Sequence, residues 1–402
     1  MGINVNILTI NAGSSSLKCG LFATDTEQGS FEPLLSVSVT NLGQTTATVH
    51  IRVGDKEGSE QPLAANDLPA TLDFVMDLVR ANLAGGRLAA IGHRIVHGGP
   101  RYGAAQPITR QVEQELRSLT AYDPEHAPAE LELIDLLKIR FPDIPHIACF
   151  DTSFFHDLPM VAQLLAVPRK YYHKGLRRYG FHGLSYEYLL YRFDEIAGED
   201  AARGKVIFAH LGSGASLAAT FEGKPVDTTM GFTPASGIMM STRSGDIDPG
   251  VARFLHHQAG MSFEDYNHMV NFESGLLGVS ELSADMLTLL NNETRDPQAA
   301  EAVALFCYQA RKAIGALSAS MNGLTSLVFS GGIGEQSAPI RSRICQKLGF
   351  LGIVIDEAKN ERHQECISSE DSRVGVHVIP TDEAHTIASQ VVTVINKQGA
   401  SV

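Results

Sequence analysis

No stretch of this chain approaches the roughly 20 consecutive apolar residues that a membrane span needs. The segment Met1–Ile10 has no basic region followed by a long apolar run, so a secretory leader is not expected. Cysteine is scarce. Cys19, Cys149, Cys307, Cys345 and Cys366 are scattered and odd in number, and no pair has metal-ligand spacing. That argues against a disulfide framework or a zinc site and fits reduced thiols in a cytoplasmic setting. Positive charge is in deficit: Lys+Arg number 32 against 45 Asp+Glu, a formal net charge of −13. Such a balance excludes nucleic acid and anionic membrane surfaces as non-specific partners. An anionic ligand would have to be met by individual arginines. Low-complexity tracts and long linkers are missing too, so domains are expected to meet through ordinary chain crossings.

The chain does have length and apolar content. Its 402 residues exceed one ordinary core and suggest two domains of roughly 150–200 residues. A hydrophobic share of 44% with 19% charged residues belongs to a compact, folded protein. The opening reads as a strand over Asn6–Ile10, a polar turn over Asn11–Ser16 and a second strand over Leu17–Phe22. Residues 41–62, with Gly43, Gly54 and Gly58, alternate as strands do. Leu72, Val75, Met76, Val79 and Leu83 share a helical face that Gly85 and Gly86 should end. Leu88–Ile91 predicts a strand leading into Gly92-His93-Arg94. A helix is expected from Pro128 to about Arg140, and a buried strand over His146–Phe150, with Asp151 just past its end. The opening theme returns at Lys205–Ala209, a turn over His210–Ser216, and Leu217–Phe221. Two such units suggest a duplicated α/β architecture with a cleft between the copies. Further on, a helix over Ala299–Leu324, a strand over Ser326–Phe329, a strand over Val374–Ile379 and a helix from Glu383 complete the pattern.

Three Gly/Ser-rich turns follow strands: Asn11–Ser16, Gly212–Ser216 and Gly331–Gly334. Glycine lets a backbone approach a ligand, and consecutive N–H groups can cradle phosphate oxygens. One such turn usually only reverses the chain; three, each after a strand, point to phosphate binding. The third opens a helix, where backbone amides favour a phosphate or ribose edge. Arg94, Arg243 and His182 each lie in glycine-rich surroundings. Arginine can grip a carboxylate or phosphoryl group bidentately; singly, each arginine reads more readily as a surface or structural ion-pair partner, and His182 equally well as a core histidine. Asp151 and Glu383 are candidates for a Mg²⁺ that keeps water and substrate phosphates as its other ligands. Asp151 reads equally as a turn acceptor and Glu383 as a helix-start carboxylate.

Taken together, several segments resemble the acetate kinase family: Asn11-Ala12-Gly13-Ser14-Ser15-Ser16-Leu17-Lys18, Gly92-His93-Arg94, Arg178-Tyr179-Gly180-Phe181-His182-Gly183, Thr242-Arg243-Ser244-Gly245-Asp246, Ser274-Gly275-Leu276-Leu277-Gly278 and Gly331-Gly332-Ile333-Gly334-Glu335, with the Glu383 neighbourhood. Their order and spacing match from end to end. The resemblance implies the sugar kinase/heat-shock 70/actin superfamily, with two duplicated actin/ribonuclease-H-like domains, mixed sheets flanked by helices, and an active site in the interdomain cleft. It implies an acid-binding domain over 1–153, joined by a terminal helix of about 384–402, and a nucleotide-binding domain over 154–383. It further implies a homodimer that transfers a phosphoryl group from ATP to acetate with Mg²⁺, Mn²⁺ being an alternative ion. Carried over by motif, Asn11, Arg94, Asp151, His182 and Arg243 would be catalytic. Arg94, Val96, Phe181 and Pro234 would bind the acid. Lys18, His210, Gly212, Ser213, Gly214, Asp285, Gly331, Gly332, Ile333, Gly334 and Glu335 would bind the nucleotide. Asn11 and Glu383 would serve the metal.

The sequence departs from the family pattern around this core. Glu125 replaces an apolar residue of the acyl pocket, and Ala127 follows His126 where Asn is usual. Phe155 stands in place of a His, Ser213 in place of an Asn, and Ala235-Ser236-Gly237 in place of Leu-Glu-Gly. Leu287 replaces a basic residue, and Gln336 an Asn. The phosphoryl-transfer residues are retained; those at the acid and nucleoside rims have changed. Two other readings follow: a propionate or other short-chain carboxylate kinase, and a nucleotide-binding regulator of the same fold.

Overall fold

The computed structural model describes residues 4–13, 16–25, 30–42, 47–64, 67–83 and 86–399. Ser14, Ser15, Gly43 and Gly85, which entered the sequence reading, lie outside them. The chain divides into two compact units, Met1–His156 with Asp382–Val402, and Asp157–Thr381.

The first unit holds an eight-stranded sheet. Its strands are β1 (Asn4–Gly13), β2 (Ser16–Asp25), β3 (Ser30–Thr40), β4 (Ala47–Val53), β5 (Ser59–Leu63), β6 (Leu88–Ile95), β7 (Gln106–Pro107) and β8 (His146–Phe150), in the order β5-β4-β3-β2-β1-β6-β8-β7. The second unit holds β9 (Val206–Leu211), β10 (Ala215–Phe221), β11 (Lys224–Thr228), β12 (Ser326–Ser330) and β13 (Gly375–Val378), in the order β11-β10-β9-β12-β13. The segment β3-β2-β1-β6-β8 repeats that order strand for strand. In each unit two antiparallel steps, β3-β2-β1 or β11-β10-β9, are followed by two parallel ones, β1-β6-β8 or β9-β12-β13. The duplication expected from the two hairpins therefore extends to whole sheets.

Several strands run further than the sequence indicates. Asn11 pairs with Lys18 and Gly13 with Ser16 inside the β1–β2 ladder, so most of the polar turn expected over Asn11–Ser16 is strand. Likewise β6 continues through Arg94 to Ile95. Hydrogen-bonded ladders tolerate polar residues wherever one face of the sheet serves function, and polarity alone made these stretches look like turns. The helix Leu68–Ala81 ends before the expected glycines, its cap Asn82 donating to the Val79 carbonyl.

Strand alternation decides which residues reach the site. Leu8, Ile10, Ile91 and their neighbours pack with Leu72, Val75, Met76, Leu133 and Leu137 from the helices Leu68–Ala81 and Ala127–Arg140. The opposite face receives the helix Glu383–Gly399, which packs on β1, β6 and β8. Gly92 lies on that face, where a Cβ would fall 2.4 Å from Ile387 and 2.6 Å from Val391. Glycine there lets the helix approach, and two residues on, Arg94 takes the same face at the strand's end.

On the other face His93 is buried and pairs with His146, Nε2 to Nδ1 at 2.9 Å; His146 Nε2 donates to the Phe141 carbonyl at 3.3 Å. Burial, then the neighbouring histidine and Lys138, hold His93 well below the ordinary imidazole range, and burial lowers His146. The unfolded chain therefore binds more protons than the folded one once the pH drops below about 6.5, and stability falls on acidification by up to ~1.4 kcal/mol per pH unit for each group. A His93→Gln variant lacks this liability. Its stability deficit against the parent, from urea unfolding, is expected to shrink by about 1 kcal/mol between pH 7.5 and 5.5. A deficit independent of pH would show that His93 titrates normally.

Candidate active site

In the first unit four residues distant in sequence converge. Arg94 Nε donates to Asp151 Oδ1 at 3.1 Å and Oδ2 at 3.2 Å, and Nη2 donates to Asp151 Oδ2 at 2.6 Å. Arg94 Nη1 donates to Asn11 Oδ1 at 3.0 Å, and Asn11 Nδ2 to Glu383 Oε2 at 2.7 Å. Asp151 is wholly buried, and its amide closes on the Ile95 carbonyl, fixing it past the end of β8. A guanidinium carries five N–H donors. Asp151 takes the Nε edge and Asn11 one hydrogen of Nη1, which leaves one hydrogen on each Nη nitrogen. Both remain as donors for a carboxylate or phosphoryl oxygen. Burial opposes charge on Arg94, but Asp151, and after it Glu383, hold the guanidinium above its ordinary value. It stays a cation at every working pH.

In the second unit His182 begins the helix Gly183–Ala197 with φ of 60°, a left-handed conformation costly for a side chain that is not glycine. Its ring is fixed on two sides: Nδ1 bonds the Ser216 hydroxyl at 2.9 Å, and the imidazole stacks on His210 at 4.5 Å. Ser216 in turn bonds Tyr186 at 2.6 Å, and His210 bonds Ser185 at 2.8 Å. Gly214 marks where the groups meet. A Cβ there would lie 3.2 Å from His182 Nε2 and 3.9 Å from Arg243 Nη1. Gly212 stands beside His210 Nε2 and the Gly332 amide, with a Cβ 3.9 Å from the first and 3.8 Å from the second. The loops after the adjacent parallel strands β9 and β12 thus lie side by side. Arg243 Nη1 donates to the Pro234 carbonyl at 3.4 Å, and the Ser241 amide to the Ser213 carbonyl at 3.1 Å, joining the arginine loop to the β9–β10 turn.

The remaining expected residues are placed less uniformly. Val96 is buried in the first unit, Phe181 and Pro234 in the second. Lys18 is exposed, directly across the ladder from Asn11 and in the first unit. Asp285 is exposed and accepts from the Thr288 amide and hydroxyl, which hold its carboxyl below the usual range. The Gly331 amide, expected to face a phosphate or ribose, donates instead to Glu335 Oε1 at 2.9 Å; that oxygen also accepts from the Thr381 amide at 3.2 Å. Glu335 is therefore a clamp on the loop that holds Gly331–Gly334. A second clamp went unread in the sequence. Arg341 is fully buried and donates to Asn360, to the Gly334 and Glu335 carbonyls and toward His363, with no carboxylate among these partners. Buried Glu130 was also missed, although Glu130, Ile134 and Leu137 follow helical spacing and all face inward.

The donor set can be matched to Mg²⁺. Both Asp151 oxygens accept from Arg94, Asn11 Oδ1 also accepts from it, and Glu383 Oε2 accepts from Asn11 Nδ2. No group of three or more potential ligands clusters among the described residues. An ion carried mainly by nucleotide phosphates and water needs only one or two protein carboxylates, and Glu383, bonded to Asn11, would supply one.

A sheet order repeated in both units, with an arginine braced by a buried carboxylate in one and a histidine, an arginine and glycine loops drawn together in the other, defines a duplicated α/β protein. Comparison with known proteins narrows that class. The sequence model of the acetokinase family matches residues 6–389, and the chain belongs to that family. An acetate kinase of Rhodopseudomonas palustris is 40% identical over 394 residues, covering 96% of this chain and 97% of its own length. Among solved structures, a propionate kinase from Francisella tularensis superposes with a TM-score of 0.88 at 32% identity, covering 96% of this chain and 98% of that one. Acetate kinase from Porphyromonas gingivalis does so with a TM-score of 0.85 at 34% identity, covering 97% and 100%. The described residues contain no helix long and apolar enough to cross a membrane.

Proposed function

We propose that this protein transfers the terminal phosphoryl group of ATP to the carboxylate of acetate, reversibly, giving acetyl phosphate and ADP. The observation that carries this reading is the Arg94 guanidinium: Nε and Nη2 are held by a buried carboxylate, and one hydrogen on each Nη nitrogen is left for an anion. A nucleotide sensor has no need of such a grip. Acetate is already deprotonated at neutral pH, so no general base is required and one carboxylate oxygen attacks phosphorus in line. The transferring group passes through a loose, planar, anionic state. Arg94 orients the attacking carboxylate. His182 Nε2 and Arg243 donate to the phosphoryl oxygens as charge develops, and Gly214, having no side chain, leaves them room. The work is positioning and charge neutralisation by donors already held in place. Mg²⁺, with Glu383 and Asn11 as its protein contacts, would supply further neutralisation of phosphate charge. We propose a cytoplasmic homodimer as the working form.

The test is a hydroxamate assay for acyl phosphate with acetate, propionate and butyrate at matched ATP and Mg²⁺. Acetate is expected to give the highest kcat/KM. The likeness to a propionate kinase favours a second reading, and one methylene in an apolar pocket shifts selection by only ~1–3 kcal/mol. Higher kcat/KM with propionate would transfer the assignment to that acid. Formation of no acyl phosphate with any of the three would refute the kinase reading.

A further inference from the structure

Glu130 is the one acidic residue on the inward face of the helix Ala127–Arg140, and it is only 4% exposed. Its Oε1 accepts from the Val96 amide at 3.0 Å. Val96 follows the end of β6, two residues beyond Arg94, so this bond fixes the stretch that carries both the proposed carboxylate grip and the proposed wall of the acid pocket. Glu130 also lines a small cavity with His97, Ile95 and Leu116. His97 Nδ1 accepts from the Gly99 amide, which puts the His97 proton on Nε2. Three buried carboxyls therefore gather near one strand end. Asp151 is paired with Arg94, and Asp123 with His126 at 2.8 Å; among the described residues no salt bridge reaches Glu130.

We propose that Glu130 is a positioning residue for acid binding, holding the Arg94–Val96 segment through the Val96 amide and setting, by its charge, how firmly Arg94 can hold an incoming carboxylate. The inference rests on the acid-kinase reading above. The charged groups that act on Glu130 are Asp123 and Asp151, which disfavour its ionisation, and Arg94, which favours it. Burial is the largest influence, and together they push its carboxyl up to about 8. Below that pH Glu130 is neutral and adds no charge to the Arg94–Asp151 pair. Above it, a further buried anion weakens the hold on a carboxylate while leaving nucleotide binding alone.

The experiment compares the parent enzyme with Glu130→Gln, which keeps a carbonyl acceptor for the Val96 amide and cannot ionise. Apparent KM for acetate and for ATP is measured from pH 6.5 to 9.5, with Tm recorded over the same range. For the parent, the acetate KM is expected to rise about tenfold between pH 7 and 9.5 while the ATP KM stays within about twofold. In Glu130→Gln the acetate KM stays flat with kcat retained. The folded parent binds more protons than the unfolded chain between the ordinary carboxylate range and pH 8, so its stability falls as the pH rises through that window. A Tm gap of about 5–10 °C in favour of the variant should therefore open toward pH 9. The same alkaline rise in acetate KM in Glu130→Gln, or no rise in the parent, overturns the proposal while leaving the kinase reading in place. A parent that phosphorylates no acid overturns the kinase reading itself, and the Tm profiles then report the Glu130 proton on its own.

Discussion

Arg94→Ala is expected to lower kcat by about a thousandfold, the upper end of what one preorganised donor to a developing anion contributes. The loss should not come alone. Asp151 is fully buried with both oxygens on Arg94, so alanine leaves an unpaired carboxylate in a dry setting. Breaking a buried pair from one side costs about 3–5 kcal/mol of stability. Two effects would then be mixed in one mutant, and the double variant Arg94→Ala/Asp151→Asn separates them. Neutralising the orphaned acid should recover most of the lost Tm while kcat stays near the single mutant's value. Arg94→Lys makes the complementary test: it keeps the charge and loses the planar fork, and an ammonium cannot satisfy Asp151 on one edge and a carboxylate on the other. Its kcat should fall by at least about a hundredfold. Near-normal turnover in either single mutant, or activity restored by Asp151→Asn, would remove Arg94 from the chemistry.

Much of this arrangement could be read from residue order. Arg94, Arg243 and His182 stood out because each interrupts a glycine-rich stretch, and Asp151 because it follows a short apolar run. All four lie at or next to a strand end or in a loop. The less legible residues depend on tertiary contacts. Glu130 looks like an ordinary charge near a helix start until the helix is laid against β6 and the glutamate meets the Val96 amide. Arg341 reads as a surface cation, yet it is buried because the Gly334 and Glu335 carbonyls and Asn360 absorb its donors. Gly331 shows the converse. A glycine amide after a strand resembles a phosphate cradle, but the Glu335 side chain, four residues on, reaches it first. Local competition of this kind is invisible to motif spacing, which records that a donor exists and not which acceptor claims it.

Gly275→Ala is expected to damage the enzyme almost as severely as loss of Arg94, although Gly275 has no side chain to act on substrate. Its φ is +62°, and a Cβ would fall 2.2 Å from the Met240 carbonyl oxygen and 2.9 Å from that of Arg243. The carbonyls of that loop are held by amides around Gly275: Ser274 N to Thr242 O at 2.9 Å, Leu276 N to Met240 O at 2.8 Å and Leu277 N to Ser241 O at 3.0 Å. A methyl group must drive the loop off by roughly 1 Å to reach ordinary contact, straining the bonds that set Arg243 beside Gly214 and His182. A misplacement of that size can cost about a hundredfold in rate. The left-handed backbone adds about 1–2 kcal/mol of instability for alanine. Gly315→Ala supplies the contrast. Gly315 sits inside the helix Pro297–Ser320 with nothing within 4 Å of a Cβ, so alanine there should leave kcat unchanged and raise stability by up to about 1 kcal/mol. The decisive comparison is kcat and Tm for the two variants side by side. If Gly275→Ala matches the parent in both, the Arg243 loop is not braced by this close approach.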